Sequence, residues 1–194
     1  MVIAWKLPKL IALCALLGLA ACNTPPARQN FPDITFQHLA PFKLDVAHVE
    51  IVEAYRPDPA NDIGDQFPEA PAKVAEQWAR DRLQAVGNQG QATYTVVLAK
   101  ATDTALKRSQ GMSAVTNKDQ SDRYDLEIAI NLEVHRAGQA GSLNAQASRS
   151  QTVGEDLSLN QREAVLFKLL DDTMKDLNAQ LEKLIPQYVG GFLR

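Results

Sequence analysis

The chain has 194 residues, of which 45% are hydrophobic and 22% are charged, with ten Gly, ten Pro and two Cys. This composition is typical of one globular domain and excludes collagens, coiled-coil rods and disulfide-stapled scaffolds. The formal net charge is −3, whereas nucleic-acid-binding surfaces are usually basic, so no nucleic-acid partner is expected.

The first residues have the pattern of a secretory signal peptide. Lys6 and Lys9 precede an apolar run from Leu10 to Leu19, and no acidic residue lies before that run. This run is too short to cross a bilayer, which requires about 20 residues. Residues 1–21 are therefore predicted to be a signal peptide that is removed and takes no part in the fold.

The apolar run ends in Leu19-Ala20-Ala21-Cys22, which resembles the lipobox of bacterial lipoproteins. The resemblance implies cleavage before Cys22 and acylation of its thiol, which makes the lipid bilayer a partner. Cleavage at an ordinary small-residue site without acylation is the alternative. In the resembling lipoproteins, Asp after the Cys favours the inner membrane. Asn23 therefore favours the outer membrane, with the chain facing the periplasm.

A proline-rich segment follows the predicted lipidation site. Residues 22–41 contain four prolines and are predicted to be a lipidated N-terminus and a semi-rigid tether. At about 3.1 Å per residue, a fully extended tether would span about 60 Å. The apolar residues Phe31, Ile34, Phe36 and Leu39 leave open that its second half docks on the domain, which is predicted to comprise residues 42–194.

The first two elements of that domain are a strand and a helix. Phe42 to Glu53 is predicted to be one strand, with either a bulge near His48 or burial on both faces, because the apolar parity slips there. Pro71 to Val86 has apolar residues at helical spacing, and Gly87 is a natural stop. Trp78 lies on the apolar stripe and is interpreted as a core residue.

Three strands are predicted next. Thr93 to Leu106 is rich in β-branched residues, and a long polar loop from Lys107 to Ser121 follows it. Tyr124 to Val134 alternates strictly between apolar and polar residues, which indicates one buried and one solvated face. A turn over Ala137 to Gly141 leads to a weakly hydrophobic strand from Ser142 to Thr152, which suits a sheet edge.

The last predicted element is a long amphipathic helix. Ser158 and Gln161 have the spacing of a capping box, and an apolar stripe runs from Val165 to Ile185. Pro186 is expected to stop or kink this helix, and the residues after it to form a frayed tail. The order β-α-β-β-β-α predicts an α+β fold of two layers, a mostly antiparallel sheet with both helices on one face.

No motif in the sequence predicts catalysis. His38, His48 and His135 are not at metal-ligand spacing, and neither nucleophile-elbow nor phosphate-binding glycine motifs occur. Acidic residues of the last helix could form a carboxylate cluster, but they are interpreted as a solvated helix face. We therefore predict no enzyme activity, no catalytic residues, no cofactor and no metal.

The element order, the segment from Trp78 to Leu83 and the strand start Arg123-Tyr124-Asp125-Leu126 together resemble small α/β lipoproteins of the Gram-negative envelope. Two families share these features: the auxiliary lipoproteins of ABC-type transporters and the lipoprotein partner of the lipopolysaccharide-assembly barrel. Both work by binding and assembly, so the resemblance implies a non-enzymatic accessory with an envelope protein as its partner.

Two functions are therefore compatible with the sequence. An accessory of a transport or outer-membrane biogenesis complex would contact a protein through the polar face of the sheet, where Glu127, Asn131 and Glu133 are the candidate residues. A carrier would instead bind a lipid or glycan in an apolar cavity between the sheet and the helices. The basic residues Lys107, Arg108, Lys118 and Arg123 could meet lipid or glycan phosphate, or could simply be solvated.

Overall fold

The computed structural model describes residues 29–106, 120–154 and 156–194. The predicted signal peptide, the lipobox with Cys22, and the basic residues Lys107, Arg108 and Lys118 lie outside these ranges. Within them the predicted α+β fold class is confirmed, and the elements follow in the order β1 (Phe42–Leu44), β2 (His48–Glu53), α1 (Pro71–Arg82), β3 (Leu83–Ala85), β4 (Gln91–Ala105), β5 (Gln120–Arg136), β6 (Gln139–Gly154) and α2 (Leu159–Tyr188).

The described strands form a main sheet in the order β2-β4-β5-β6 and a small sheet of β1 and β3. The β4-β5 and β5-β6 pairs are antiparallel, whereas β2-β4 and β1-β3 are parallel. A parallel pair needs a crossover, and α1 provides it between β2 and β3. The mostly antiparallel sheet is therefore as predicted, with one parallel unit at its beginning.

The predicted single strand from Phe42 to Glu53 is wrong, because the chain forms two strands that belong to different sheets. The parity slip near His48 marks this break and not a bulge. Gly87 lies very close to the backbone between β1 and β2, since a Cβ at this position would lie 2.5 Å from the carbonyl carbon of Asp45. Only glycine permits so close a backbone approach. Gly87 thus follows a strand and does not end a helix.

Helix α1 is shorter than predicted, because it ends at Arg82 and Leu83 begins β3. Its apolar stripe nevertheless packs as expected. Trp78 is fully buried, its ring stacks on Tyr94 at 5.7 Å between centroids, and its Nε1 donates a 2.9 Å hydrogen bond to Asn178 Oδ1 of α2. This hydrogen bond satisfies the indole N–H and joins the two helices over the sheet.

Strand β5 confirms the strict alternation in the sequence. The inward side chains from Tyr124 to Val134 are at most 3% exposed. A two-residue turn connects β5 to β6 and is shorter than predicted. Its residues, Ala137 and Gly138, both have positive φ (49° and 80°). Positive φ at both positions gives the twist that a tight hairpin requires. On β6, Leu143, Ala145 and Ala147 are each 4% exposed, as expected for the inward side of this edge strand.

Helix α2 packs along β5 and β6. The capping box is formed as predicted, with Ser158 accepting from the backbone N–H of Gln161. The helix continues through Pro186 to Tyr188, so the predicted stop is wrong. Pro186 costs only the one hydrogen bond to the carbonyl of Glu182, and helical bonding resumes where the Val189 N–H donates to the Ile185 carbonyl at 3.0 Å.

The C-terminal residues are packed and not frayed. Val189 is fully buried and Phe192 is 6% exposed. The Asp45 N–H donates to the Phe192 carbonyl at 2.7 Å, so the tail runs beside β1. The Arg194 guanidinium lies 2.6 Å from the Asp45 carboxylate, which also accepts from Arg136. The predicted fraying is therefore wrong, because buried apolar side chains outweigh the flexibility of the glycines between them.

The segment before β1 docks on the domain. Ile34 and Phe36 are 6% and 5% exposed, and the Phe36 N–H donates to Asp81 Oδ2 of α1 at 2.8 Å. The Phe31 ring stacks on Phe167 of α2 with 4.8 Å between centroids. Of the two options left open by the sequence, docking therefore holds for the described part of the tether.

The burial of α2 generates a test of stability. Leu170 and Leu177 are fully buried, so replacing either by Ala should lower the free energy of unfolding by about 2–5 kcal/mol. The exposed variant Lys183→Ala should change it by no more than about 0.5 kcal/mol. Urea unfolding of residues 29–194 measures both, and unchanged stability of the leucine variants would contradict this packing.

Candidate functional site: the outer face of the sheet

The three predicted site residues lie together on the outer face of β5. Asn131 occupies the centre, and from Glu127 to Glu133 the strand advances about 20 Å at about 3.3 Å per residue. Glu133 is exposed, whereas Glu127 and Asn131 are half-buried by their neighbours. This outer face is opposite the side that the helices cover, because successive residues of a strand point to opposite faces.

Glu127 lies between polar residues of both neighbouring strands. Its carboxylate accepts a hydrogen bond of 2.5 Å from Gln146 Nε2 on β6. On the other side, the register places Lys100 of β4 directly opposite. Cross-strand pairs of opposite charge stabilise a sheet, whereas like charges in this position destabilise it. Glu127 is therefore part of the sheet's own polar ladder, although it faces outward.

Asn131 and Glu133 are less constrained. The Asn131 Nδ2 donates to Asn144 Oδ1 across the strand pair at 3.1 Å. Glu133 lies between Thr93 and Ser142 in the register, and its carboxylate is 3.8 Å from His135 Nε2. These neighbours are small or uncharged, so this end of the outer face is open to an approaching surface.

This face also carries one exposed apolar side chain, which the sequence pattern does not predict. Val97 is 44% exposed, at a bulge where the β4 register shifts between Val96 and Leu98. In the sequence it belongs to a run of apolar residues, and such a run gives no parity from which to assign a face. The outer face therefore combines a polar ladder with one exposed apolar side chain.

Strand β6 forms the edge of the main sheet, and α2 covers part of that backbone edge. In an antiparallel ladder, alternate residues direct both backbone groups to the same side. The Gln146 N–H points away from β5 and lies 3.4 Å from Gln180 Oε1 of α2, so Asn144 and Ser148 share this outward direction. At Gln146 a side chain of α2 therefore takes the place that the backbone of a further strand would need.

Two clefts lie away from the outer face. A mainly apolar cavity of about 330 Å³ is lined by residues that include Tyr55, Pro57 and Pro71. Burial and a hydrogen bond to Asp62 raise the pKa of Tyr55, so its hydroxyl stays protonated and donates to that carboxylate. Such a group is a poor base, because it holds its proton at any physiological pH.

The second cleft is polar, with a volume of about 750 Å³, and lies at the N-terminal end of α2. Arg162 forms its charged wall, donating to the Tyr124 hydroxyl at 2.8 Å and to Asp122 at 3.2 Å. Burial raises the pKa of Asp103, and the carboxylate of Asp122 raises it further. Arg162, Tyr124 and Asp122 thus bind one another and form no nucleophile–base pair.

The acidic residues of α2 form ion pairs on its surface. Lys175 is 2.6 Å from Asp171, and Lys168 is 2.8 Å from Asp172, both at helical i,i+4 spacing. Arg149 of β6 pairs with Asp176 at 2.6 Å and lowers the pKa of that carboxyl. The three aspartates are thus held in ion pairs, whereas Glu163, the fourth acidic residue of the predicted face, lines the polar cleft.

Within the described ranges, no group of three or more His, Cys, Asp or Glu side chains could hold a metal ion. The helices in the same ranges include none long and apolar enough to span a bilayer.

The comparisons with known proteins leave the family open. No protein-family model matches the chain, and no curated protein sequence matches it.

Two solved structures are similar in part. A minor lipoprotein from Acinetobacter baumannii shares 12% identity over 77% of this chain and 96% of its own, with a TM-score of 0.33. The rare lipoprotein B from Shewanella oneidensis shares 10% identity over 71% of this chain and 98% of its own, also with a TM-score of 0.33. Both are lipoproteins, the class that the lipobox resemblance implies, but at this TM-score neither fold nor function is transferred from them.

The register generates a test that separates the three residues. Asn131→Lys and Glu133→Lys should each change the free energy of unfolding by no more than about 0.5 kcal/mol. Glu127→Lys should destabilise by about 1 kcal/mol, because it puts a cation opposite Lys100 and removes the acceptor of Gln146. Urea unfolding measures the difference, and equal stability of all three variants would contradict this register.

Proposed function

We propose that the chain is an outer-membrane lipoprotein, acylated at Cys22 and facing the periplasm, that acts as a non-enzymatic partner of a transport or outer-membrane biogenesis complex. A protein of that complex contacts the outer face of the sheet at Asn131 and Glu133, with Glu127 at its margin. The observation that carries the proposal is an accessible ladder about 20 Å long whose opposite side is completely packed.

The packing favours this role over that of a lipid or glycan carrier. A carrier needs a cavity between the sheet and the helices, but the largest side chains in this layer are less than 2% exposed. They interdigitate from both sides, as the stacking of Trp78 on Tyr94 shows. The apolar cavity at Tyr55 lies at the surface and not in this layer. An accessory protein requires only such a solid body and an accessible face.

Lipidation at Cys22 is tested by a single substitution. In Cys22→Ser the thiol that carries the acyl chains is missing, so we expect uncleaved precursor and loss of the protein from outer-membrane fractions. Mass spectrometry and membrane fractionation measure both effects. Cys14→Ser, within the predicted signal peptide, is the matched control and should be processed normally. A Cys22→Ser protein that remains in outer-membrane fractions in the same amount would contradict the anchor.

Partner contact is tested by capture from native envelopes. The double variant Asn131→Lys and Glu133→Lys changes the charge of the open part of the face while sparing the Glu127–Lys100 pair. Recovery of crosslinked partners should fall at least several-fold relative to the wild type. Gln187→Lys adds a charge to an exposed position of α2 and should leave recovery unchanged. If the double variant folds, localises and recovers the same partners in the same amounts, this face is not the contact.

A further inference from the structure

The described chain begins at one end of an elongated body. Gln29 and Asn30 line the polar cleft together with Leu159 and Arg162 of the first turns of α2. Helix α2 has 30 residues and is about 45 Å long at about 1.5 Å per residue. At its other end Gly141, three residues after the β5-β6 turn, lies against Tyr188 and Phe192. The chain therefore enters at the N-terminal end of α2, far from that turn.

The segment from Phe31 to Phe36 is fixed on the domain by several contacts. Phe31 is stacked on Phe167, and beyond it Ile34 and Phe36 are buried. The Phe36 N–H is bound by Asp81 at 2.8 Å, which adds a charge-assisted hydrogen bond to the apolar contacts. Undocking this segment would expose two large apolar side chains to water, which opposes its release.

The length of chain before the entry point is short. Seven peptide units separate Cys22 from Gln29, and at about 3.3–3.6 Å per residue they reach at most about 25 Å. This is roughly half the length of α2. If Cys22 is acylated, the entry end must stay within this distance of the lipid surface, whereas the far end is beyond the direct reach of the anchor.

The exposed side chains of the entry end suit such a position. Leu159, in the first turn of α2, is 69% exposed, the highest value among the exposed large hydrophobic side chains of the described residues. Leu157 beside it is half-buried. The carboxylates of Asp33, Asp65 and Glu163 line the cleft at the same end. The entry end would therefore gain little from anionic lipid, and its contact depends on the anchor and on apolar side chains.

We infer that the entry end, defined by Phe31, Leu157, Leu159 and Phe167, faces the lipid bilayer, and that α2 and the long strands point away from it. The inference rests on the proposed acylation of Cys22. It places Leu159 at the headgroup layer and holds the β5-β6 turn and Tyr188 away from the membrane. The Asn131–Glu133 part of the outer face then lies toward the end that is distant from the bilayer.

The orientation is measurable with single thiols, because acylation consumes the thiol of Cys22 and Cys14 leaves with the predicted signal peptide. Leu159→Cys and Gln187→Cys are both on α2 and about 42 Å apart along its axis, at about 1.5 Å per residue. The full-length lipidated variants, labelled with a fluorescent donor, are reconstituted into phosphatidylethanolamine–phosphatidylglycerol vesicles that contain a headgroup-labelled acceptor. Energy transfer should be several-fold more efficient from position 159 than from position 187.

A second pair on the sheet provides an independent measurement. Thr152→Cys lies at the entry end of β6 and Ala140→Cys at its far end, and transfer should be several-fold more efficient from position 152. Equal transfer within both pairs, or more efficient transfer from the far positions, would overturn the inferred orientation. If Cys22 itself reacts with maleimide, or the wild-type protein does not associate with the vesicles, the proposed acylation fails instead. The two failures are thus distinguishable.

Discussion

Burial of the inner face of β5 and β6 against α2, and of β4 against α1, is the interaction on which the rest of this structure depends. The inward side chains of β5 and the apolar stripe of α2 exclude water from each other along almost their whole length. Because a strand alternates its side chains, this burial also fixes which residues face outward. The polar ladder on the outer face is therefore a geometric consequence of the core.

The segment before β1 and the C-terminal tail are docked against this body by the same means. In each case large apolar side chains are buried, and a carboxylate binds a backbone N–H or a guanidinium. Asp81 does so for the N-terminal segment, and Asp45 for the C-terminal one. The combination converts short irregular segments into fixed parts of the domain. A tether with one fixed end and a short free length can orient the domain, whereas a long flexible one cannot.

The elements that the sequence predicts correctly are those whose apolar residues follow a single periodicity throughout. The β5 alternation and the α2 stripe belong to this class, and Glu127, Asn131 and Glu133 were assigned to the outer face by parity alone. Contacts between distant segments were not predictable. The two glycines before Phe192 suggest a flexible tail. The Phe192 ring in fact packs against Gly141, some fifty residues earlier, and no local pattern indicates this contact. The Glu127–Lys100 pairing depends on the β4 bulge, which an unbroken apolar run conceals.

The central claim is that the outer face of the sheet is covered by a protein partner in the envelope. Site-specific photocrosslinking tests it most directly, with a photoreactive residue at Glu133 on the outer face and at Lys183 on the exposed side of α2 in otherwise native cells. The account predicts a discrete crosslinked protein from position 133 and none from position 183. Absence of any adduct at position 133, or the same adducts from both positions, would contradict it.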